Sequence, residues 1–120
     1  MVEFTSAGLE EIGEYSFYNC GRLVKLDFAK VHEIQAKAFY NCDKLETLIL
    51  RGPFCKIVNE DAFLGDVDAE SNIDKRTPIA KGTGVVYVPQ ALETDYSSHA
   101  IWGNYNIQSI DTLNMIREEV

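Results

Sequence analysis

Phe17-Tyr18-Asn19-Cys20 recurs as Phe39-Tyr40-Asn41-Cys42, 22 residues further along the chain. Three aliphatic positions around this segment repeat at the same offset: Ile12 with Ile34, Leu23 with Leu45, and Leu26 with Leu48. A four-residue identity flanked by three aligned aliphatic pairs seldom arises by chance. The offset therefore indicates an internal repeat, a feature that governs the reading of the whole fold.

Two less regular copies extend the repeat in both directions. A partial first copy places Phe4 where the second has Leu26. A later copy begins at Val58 and runs through Ala62-Phe63-Leu64-Gly65, is interrupted by an insertion over residues 66–76, resumes near Ile79 and ends with Val85-Val86-Tyr87-Val88. The predicted organisation is one domain over residues 1–120, with repeats at about 1–11, 12–33, 34–57 and 58–88 and a C-terminal cap at 89–120.

A repeat unit of this length cannot bury an apolar face alone, whereas stacked units cover one another. Leu26-Asp27-Phe28 alternates apolar and polar residues as a strand does, and Leu48-Ile49-Leu50 keeps the two outer apolar positions. Such strands should pair in parallel, and we expect them near residues 23–28, 45–50 and 85–88. The segment around Phe39 is too short for a stable helix, which predicts one helical or 3-10 turn.

The same spacing predicts the inward side chains. They are Ile12, Phe17, Cys20, Leu23, Leu26 and Phe28 in one unit, and Ile34, Phe39, Cys42, Leu45, Leu48 and Leu50 in the next. Phe63 should continue the column of Phe17 and Phe39. Cys20 and Cys42 could form a disulfide or a metal pair, but stacked residues lie about 4.8 Å apart, and a disulfide needs Cβ atoms about 3.8 Å apart with a twisted dihedral. We therefore expect reduced, inward thiols.

The unit (Ser/Ala)-Phe-Tyr-Asn-Cys-x2-Leu-x2-Leu resembles the BspA-type (Treponema-type) leucine-rich repeat. The closing stretch is similar to C-terminal segments of that family in gut bacterial proteins, and this match rests on Tyr87-Val88-Pro89, Tyr96, Trp102, Tyr105, Ile107 and Ile110. The resemblance implies a protein-binding, adhesive role and a cell-surface or extracellular location. The expected fold class is an α/β leucine-rich-repeat solenoid, right-handed, with short parallel strands on one face, short helical turns on the other and a C-terminal helical cap.

The cap is expected because Pro89 suits the first turn of a helix. Ala91, Leu92, Tyr96 and Ala100 follow at roughly helical spacing. Trp102, Ile107 and Ile110 could then cover the last unit. Beyond them, Ile110, Leu113, Ile116 and Val120 fall near one helical face, which could dock on the cap or on another subunit.

Composition argues against several classes of partner. Acidic residues outnumber basic ones by 19 to 11, for a net charge of −8, and the densest basic pair is Lys75-Arg76 beside an acidic stretch. Nucleic-acid binding depends on clustered Lys and Arg, so we expect no nucleic-acid partner. No apolar run approaches the roughly 18 residues of a membrane-spanning helix, so no membrane insertion is expected. Met1-Val2-Glu3-Phe4 has no basic region and no apolar stretch, which predicts no signal peptide.

Motifs for catalysis, cofactors or metals are weak. His32 and His99 lack a local signature, and a catalytic cysteine needs a base beside it. Gly82-Thr83-Gly84 leads into a strand rather than a helix, unlike a phosphate-binding loop. We therefore expect no enzyme, no cofactor and no metal.

The acidic stretch Asp66-Val67-Asp68-Ala69-Glu70 begins like a calcium loop. However, Ser71 stands where the turn glycine belongs and Thr77 where a bidentate Glu belongs. The expected structure is a solvated surface insertion over residues 66–76 with weak or no calcium affinity. Asn19 and Asn41, at the turns, are expected to hydrogen-bond local backbone.

The outward residues of the strands form the candidate binding surface. If Leu26 and Phe28 point inward, the alternation places two columns on the sheet face: Lys25, Thr47 and Val85, and Asp27, Ile49 and Tyr87. Exposed Ile49 and Tyr87 beside charges suit a protein-binding patch. The alternative is an ordinary sheet surface that tolerates apolar residues.

The sequence thus predicts a non-enzymatic protein-interaction module of the BspA-like class, as in a surface adhesin fragment, with a protein partner. The alternative is a structural or oligomerising segment of a phage or cell-surface fibre. The uncapped N-terminal unit and the apolar C-terminal helix face favour that alternative, and either could mediate homo-oligomer formation.

Overall fold

The computed structural model describes residues 2–112 of the chain. The strands, in chain order, are β1 (Val2–Ser6), β2 (Glu11–Ile12), β3 (Leu23–Phe28), β4 (Glu33–Ile34), β5 (Thr47–Leu50), β6 (Lys56–Ile57), β7 (Val67–Asp68), β8 (Ile73–Asp74), β9 (Val85–Val88) and β10 (Ile107–Ser109). The α-helices are α1 (Pro78–Lys81) and α2 (Glu93–Ser97), and 3-10 helices span Glu60–Phe63, Gln90–Leu92 and Trp102–Asn104.

The main sheet contains one strand from each repeat unit, β1, β3, β5 and β9, and a last strand, β10, from the C-terminal segment. Its order is β1-β3-β5-β9-β10, and all its strands are parallel. Its register follows the repeat, since Phe4 pairs with Leu26, Leu26 with Leu48, and Leu48 with Val86. The predicted parallel strands are therefore confirmed, although β5 begins at Thr47 rather than residue 45. The right-handed sense of the repeat stays a prediction.

A second sheet, made of two-residue strands, lies apart from the main sheet. It has the order β2-β4-β6 and aligns Ile12 with Ile34 and Ile34 with Ile57. All three isoleucines are buried. The sequence analysis did not predict these strands, because two residues are too few to show an alternation.

The turn side of the repeat departs from the expected helical turns. In the first two turns, Tyr15 and Asn19, then Lys37 and Asn41, have left-handed φ angles of 62°, 62°, 54° and 67°. These angles interrupt any continuous helix. Some turn N–H groups bond to the next unit, as from Phe17 N to Ala38 O at 2.8 Å, and others bond three residues back within the turn, as from Cys42 N to Phe39 O at 3.1 Å. These two turns therefore contain single hydrogen bonds of the 3-10 type but no helix, whereas the third contains the 3-10 helix Glu60–Phe63, capped by Asn59.

The predicted aromatic column is confirmed. The ring of Phe39 stacks on Phe17 at 5.3 Å and on Phe63 at 5.2 Å between centroids. Phe39 and Phe63 are fully buried, whereas Phe17 is half-buried because it ends the column. The other predicted inward positions are buried except Cys20, which also lies at that end and is half-buried.

The expected helical cap over residues 89–120 also contains a strand, because β10 joins the main sheet beside β9. Ile107 therefore pairs with Val86 as a strand residue. Pro89 precedes a 3-10 helix rather than an α-helix, and α2 is only 5 residues long. Trp102 and Tyr96 are completely buried against the core. Leu113, Ile116 and Val120 lie outside the described residues.

The insertion forms a small antiparallel hairpin of β7 and β8. Residues 66–75 are all exposed, including the apolar Val67 and Ile73, so the predicted surface excursion is confirmed. Gly65 is required at the base of the hairpin, because a Cβ there would collide with the Lys75 carbonyl. Over residues 2–112, no helix has both the length and the apolar character needed to cross a membrane.

Candidate interaction surface

The structure brings the six predicted sheet-face residues together in two adjacent columns. Lys25 aligns with Thr47, and Thr47 with Val85. Asp27 aligns with Ile49, and Ile49 with Tyr87. The strand β10 lengthens the second column by one residue, because Gln108 aligns with Tyr87. We call the six predicted residues, Lys25, Asp27, Thr47, Ile49, Val85 and Tyr87, the sheet face.

The expectation that Ile49 is exposed is wrong, since its side chain has no accessible surface. Ile49 lies outside the main core cluster, so it is covered on the other side of the sheet. Tyr87 and the remaining four members are half-buried. Alternation along a strand tells which side of a sheet a residue faces, but not how much its neighbours cover it. Ile49 is thus a buried floor beneath the sheet face. The accessible atoms belong to its three polar residues and to Val85 and Tyr87.

Arg51, which the sequence analysis missed, fixes one edge of this surface. Its guanidinium donates two hydrogen bonds to the Asp27 carboxylate, at 2.7 Å from Nε and 3.0 Å from an Nη. The hydrogen bond to Asp27 raises the pKa of Arg51 above its usual value. Arg51 lies two residues after Ile49, on the same side of the strand, so it reaches Asp27 diagonally across the ladder. This diagonal relation between neighbouring strands could have predicted the Asp27–Arg51 pair from the sequence.

The second charged residue of the sheet face, Lys25, is more loosely held. Its ammonium lies 4.0 Å from the Glu3 carboxylate on the neighbouring strand, and the side chains of Lys25 and Glu3 are 36% and 60% exposed. Exposed pairs of this kind contribute little to stability. Lys25 is therefore free to exchange Glu3 for a carboxylate of a partner, whereas Asp27 is already engaged by Arg51.

A polar ladder runs along the turn side, where local backbone contacts were expected. The Asn41 amide donates to Asn19 Oδ1 at 2.7 Å and to the Asp66 carboxylate at 3.0 Å, and its own oxygen accepts from Asp66 N at 2.7 Å. The two asparagines thus bond across units rather than locally. Their left-handed φ angles suit Asn, which adopts this conformation more readily than most residues.

Tyrosines lie next to the asparagines on the same side. The rings of Tyr18 and Tyr40 stack at 5.6 Å with an interplanar angle of 6°, and Tyr15 packs edge-on against Tyr18. Tyr15 and Tyr18 are among the exposed large hydrophobic residues, at 49% and 39%. These tyrosines form a second accessible surface. It lies on the turn side of the repeat, away from the strands that carry the sheet face.

The three cysteines, Cys20, Cys42 and Cys55, are free thiols. Cys42 and Cys55 are fully buried, and desolvation raises the pKa of each from 9.0 to about 12. Cys42 Sγ lies 2.9 Å from the Phe17 carbonyl, which it reaches as a donor. Only the thiolate is a strong nucleophile, so these two buried thiols are poorly suited to covalent chemistry.

We expect thiol labelling at pH 8 to modify Cys20 first, and Cys42 and Cys55 only slowly, because Cys20 alone is partly exposed and the other two remain protonated. The labelling rate of the buried pair should keep rising up to about pH 12. Between pH 9 and that value the unfolded thiols lose protons and the folded ones do not, so the free energy of unfolding should fall. Mass spectrometry of time points would contradict this if all three cysteines reacted at one rate.

The acidic side chains of the insertion already have protein partners. Asp66 accepts hydrogen bonds from Asn41 and from the Tyr40 hydroxyl, at 3.0 and 3.2 Å. Asp74 accepts two from the Arg76 guanidinium, which lowers the pKa of the carboxyl. Asp68 caps the hairpin turn through the N–H groups of residues 70 and 71. Within residues 2–112, no three His, Cys, Asp or Glu side chains are grouped as a metal site.

We therefore expect isothermal titration with CaCl2 to give no binding heat at micromolar concentrations. A calcium ion would have to displace Arg76 from Asp74 and Asn41 from Asp66, and it would find only scattered carboxylates. The variant Asp68→Ala is the matched control, and its titration curve should be unchanged. Micromolar binding that this substitution abolished would contradict the expectation.

The sequence was compared with protein-family models, curated proteins and solved structures. The family model described as "BspA type Leucine rich repeat region (6 copies)" matches residues 2–74, which is more than half of the chain. A search of curated proteins and a search of solved structures each return no significant match. The matched segment contains β1 to β8, both stacked turns and the phenylalanine column. Its repeat units pair in parallel, and the chain belongs to the BspA-type leucine-rich repeat family.

Proposed function

We propose that this protein is a non-catalytic interaction module that binds a protein partner through the sheet face. The observation that carries the proposal is the alignment of Lys25, Asp27, Thr47, Val85 and Tyr87 in adjacent registers over the buried floor of Ile49. All five are half-buried, and Asp27 is held in place by Arg51, whereas Lys25 is only loosely paired with Glu3. Binding to an ordered surface loses less conformational entropy than binding to a mobile one.

Tyr87 is the proposed centre of this surface. Tyrosine is enriched among the residues that dominate binding energy, because its ring provides apolar contact and its hydroxyl a hydrogen bond. Its neighbours in register are Ile49 on one side and Gln108 on the other. Asp27 and Arg51, already paired at 2.7 Å, would form a polar rim beside it.

The adhesive role is proposed from the family. BspA-type repeats are generally found in surface-associated bacterial proteins, and the family is typically protein-binding rather than enzymatic. We propose the same location for this chain, with an extracellular-matrix protein as partner. The buried, protonated state of Cys42 and Cys55 supports a non-catalytic role.

We also propose that the chain is one repeat domain, whose residues 89–112 close its C-terminal end. Trp102 packs at 5.8 Å from Phe63, the last ring of the column. Its Nε1 donates to the Cys55 carbonyl at 2.8 Å, and the Tyr96 hydroxyl accepts from Cys55 N at 2.7 Å. These contacts support a closing role, because they occupy the position that a further unit would take.

A panel of purified matrix glycoproteins, immobilised and probed by surface plasmon resonance, tests the proposal. Tyr87→Ala should weaken binding by about tenfold or more, as expected for a central tyrosine. Tyr18→Ala removes a more exposed tyrosine from the turn side, and should leave affinity unchanged. If Tyr18→Ala were the damaging variant, the sheet face would not be the binding surface.

The second candidate function is a structural or oligomerising segment of a fibre. Val2 and Phe4, on edge strand β1, are exposed at 46% and 40%, which favours contact with another chain. Light scattering at increasing concentration discriminates between the two candidates. A stable oligomer at micromolar concentration favours the fibre segment, and a monomer favours the interaction module.

A further inference from the structure

The imidazole of His99 lies between α2 and the 3-10 helix Trp102–Asn104. Its Nδ1 accepts a hydrogen bond from Ile101 N at 3.0 Å and another from Trp102 N at 3.3 Å. These two N–H groups stand at the start of the 3-10 helix, where a helix has no backbone acceptors of its own for them. His99 therefore caps this helix, in the way that an Asn or Asp side chain caps many others.

The two hydrogen bonds require one protonation state of the imidazole. A ring nitrogen accepts a hydrogen bond only when it carries no proton, so Nδ1 is the unprotonated nitrogen of a neutral His99 ring. An imidazolium has an N–H group at both nitrogens and no acceptor. Protonation of His99 would therefore replace two hydrogen bonds by three N–H groups directed at one another.

The His99 ring also contacts the residues that close the C-terminal end of the repeat. It lies 5.7 Å from the ring of Phe54, which itself lies 4.6 Å from the ring of Tyr96. Trp102, whose backbone N–H it accepts, packs 5.8 Å from Phe63. A movement of the imidazole would therefore act on Tyr96 and Trp102, which are both completely buried.

The other titratable groups on the neighbouring segments form no ion pair with His99. Burial raises the pKa of the Cys55 thiol and of the Tyr105 phenol to about 12, and that of the Tyr96 phenol above its usual value, so all three stay protonated at neutral and mildly acid pH. The charged residues on these segments are Lys56, Glu93, Asp95 and Asp111. Within residues 2–112, no carboxylate lies within ion-pair distance of the His99 imidazole. An imidazolium there would thus gain no opposite charge in exchange for the lost hydrogen bonds.

We propose that His99 is a pH-sensitive cap that controls the closure of the C-terminal end. The neutral imidazole holds the N–H groups of Ile101 and Trp102, and protonation releases both and loosens the packing of the Trp102 indole. Imidazoles change charge between about pH 5 and 8. Because the imidazolium cannot make these bonds, mild acid lowers the free energy of unfolding. The inference rests on the proposed closing role of residues 89–112 and is independent of the sheet face.

Urea unfolding of the whole chain at pH 8 and at pH 5, followed by circular dichroism, measures the effect. The matched control is His99→Asn, because an Asn side chain can accept the same N–H groups but does not titrate. Acidification should raise the unfolding equilibrium constant of the wild-type protein about tenfold more than that of the variant, as expected for the loss of one or two hydrogen bonds. Carboxylates that titrate in both proteins cancel in this comparison.

Nuclear magnetic resonance of the 15N-labelled wild-type protein locates the change. The amide signals of Ile101 and Trp102 should move with the same midpoint as the imidazole signals of His99. The fluorescence of Trp102, the only tryptophan in the chain, should shift to longer wavelength over the same range. Neither change should occur in His99→Asn, and His32→Asn, which removes the other histidine, should respond as the wild-type protein does.

Equal responses of the wild-type protein and His99→Asn to acid would overturn the proposal. Amide signals of Ile101 and Trp102 that stay in place while the imidazole titrates would overturn it as well, as would a pH response that disappears in His32→Asn. The closing role fails separately, because a Trp102→Ala variant without loss of stability would contradict it even if the amide signals followed the imidazole.

Discussion

Phe39→Ala should lower the free energy of unfolding by about 3–5 kcal/mol. The ring is fully buried between Phe17 and Phe63, with centroids 5.3 and 5.2 Å away on its two faces. Both neighbours are held by their own repeat units, so the cavity cannot collapse without moving a turn. Because domains are stable by only about 5–15 kcal/mol, urea unfolding followed by circular dichroism should show a large shift of the midpoint.

Tyr40→Ala, one residue further, is the matched control. Its ring stacks on Tyr18 at 5.6 Å, and its hydroxyl bonds to Asp66 at 3.2 Å, but the side chain is only half-buried. A half-exposed ring loses less transfer free energy when truncated, so the cost should be clearly smaller, about 1–2 kcal/mol. If Tyr40→Ala were as damaging as Phe39→Ala, the turn would depend on its outer aromatic surface rather than on the phenylalanine column.

Trp102→Ala should be about as destabilising, at roughly 3–5 kcal/mol. Its indole is fully buried, within 5.4 to 6.0 Å of the rings of Phe63, Tyr96 and Tyr105. Truncation also leaves the Cys55 carbonyl without the 2.8 Å hydrogen bond from Nε1. The last repeat unit would then expose the end of the phenylalanine column. Urea unfolding monitored by circular dichroism measures the loss, since this chain has no other tryptophan for fluorescence.

Two conservative variants separate packing from hydrogen bonding at this end. Trp102→Phe retains most of the apolar contact and removes the Nε1 donor. Tyr96→Phe removes the hydroxyl that accepts from Cys55 N at 2.7 Å. Each should cost about 1–3 kcal/mol, because a buried partner is left unsatisfied. A cost below about 0.5 kcal/mol for all three changes would show that residues 89–112 contribute little to the stability of the repeat, contrary to their proposed closing role.

The 22-residue offset was sufficient to predict the parallel pairing of β3 with β5, the alignment of Leu26 with Leu48 and the stacking of Phe17 on Phe39. Phe63 was added to the column because Ala38-Phe39 recurs as Ala62-Phe63. The offset was sufficient because stacking places equivalent residues of successive units side by side. The same logic located the two columns of the sheet face. In a repeat fold, residues separated by one repeat length in the sequence are therefore neighbours in space.

Where the repeat is interrupted, that logic no longer applies. The repeat at residues 58–88 contains the insertion of residues 66–76, and the partner of the Asn41 amide there is a carboxylate, Asp66. The strand β10 lies beyond the last regular copy, and its pairing with β9 had no period to indicate it. These contacts depend on where the chain returns after an irregular segment, which the sequence spacing does not encode.

The repeat period likewise could not predict which side chains are accessible to solvent. The offset and the alternation placed Ile49 on the solvent side of the sheet, but the folded chain buries it completely. Burial depends on the size and direction of every neighbouring side chain, such as the Arg51 guanidinium that crosses to Asp27 at 2.7 Å. The sequence thus determines the order and alignment of the strands through local periodicity. The burial of Ile49 and the closure around Trp102 arise only when residues distant in sequence pack together.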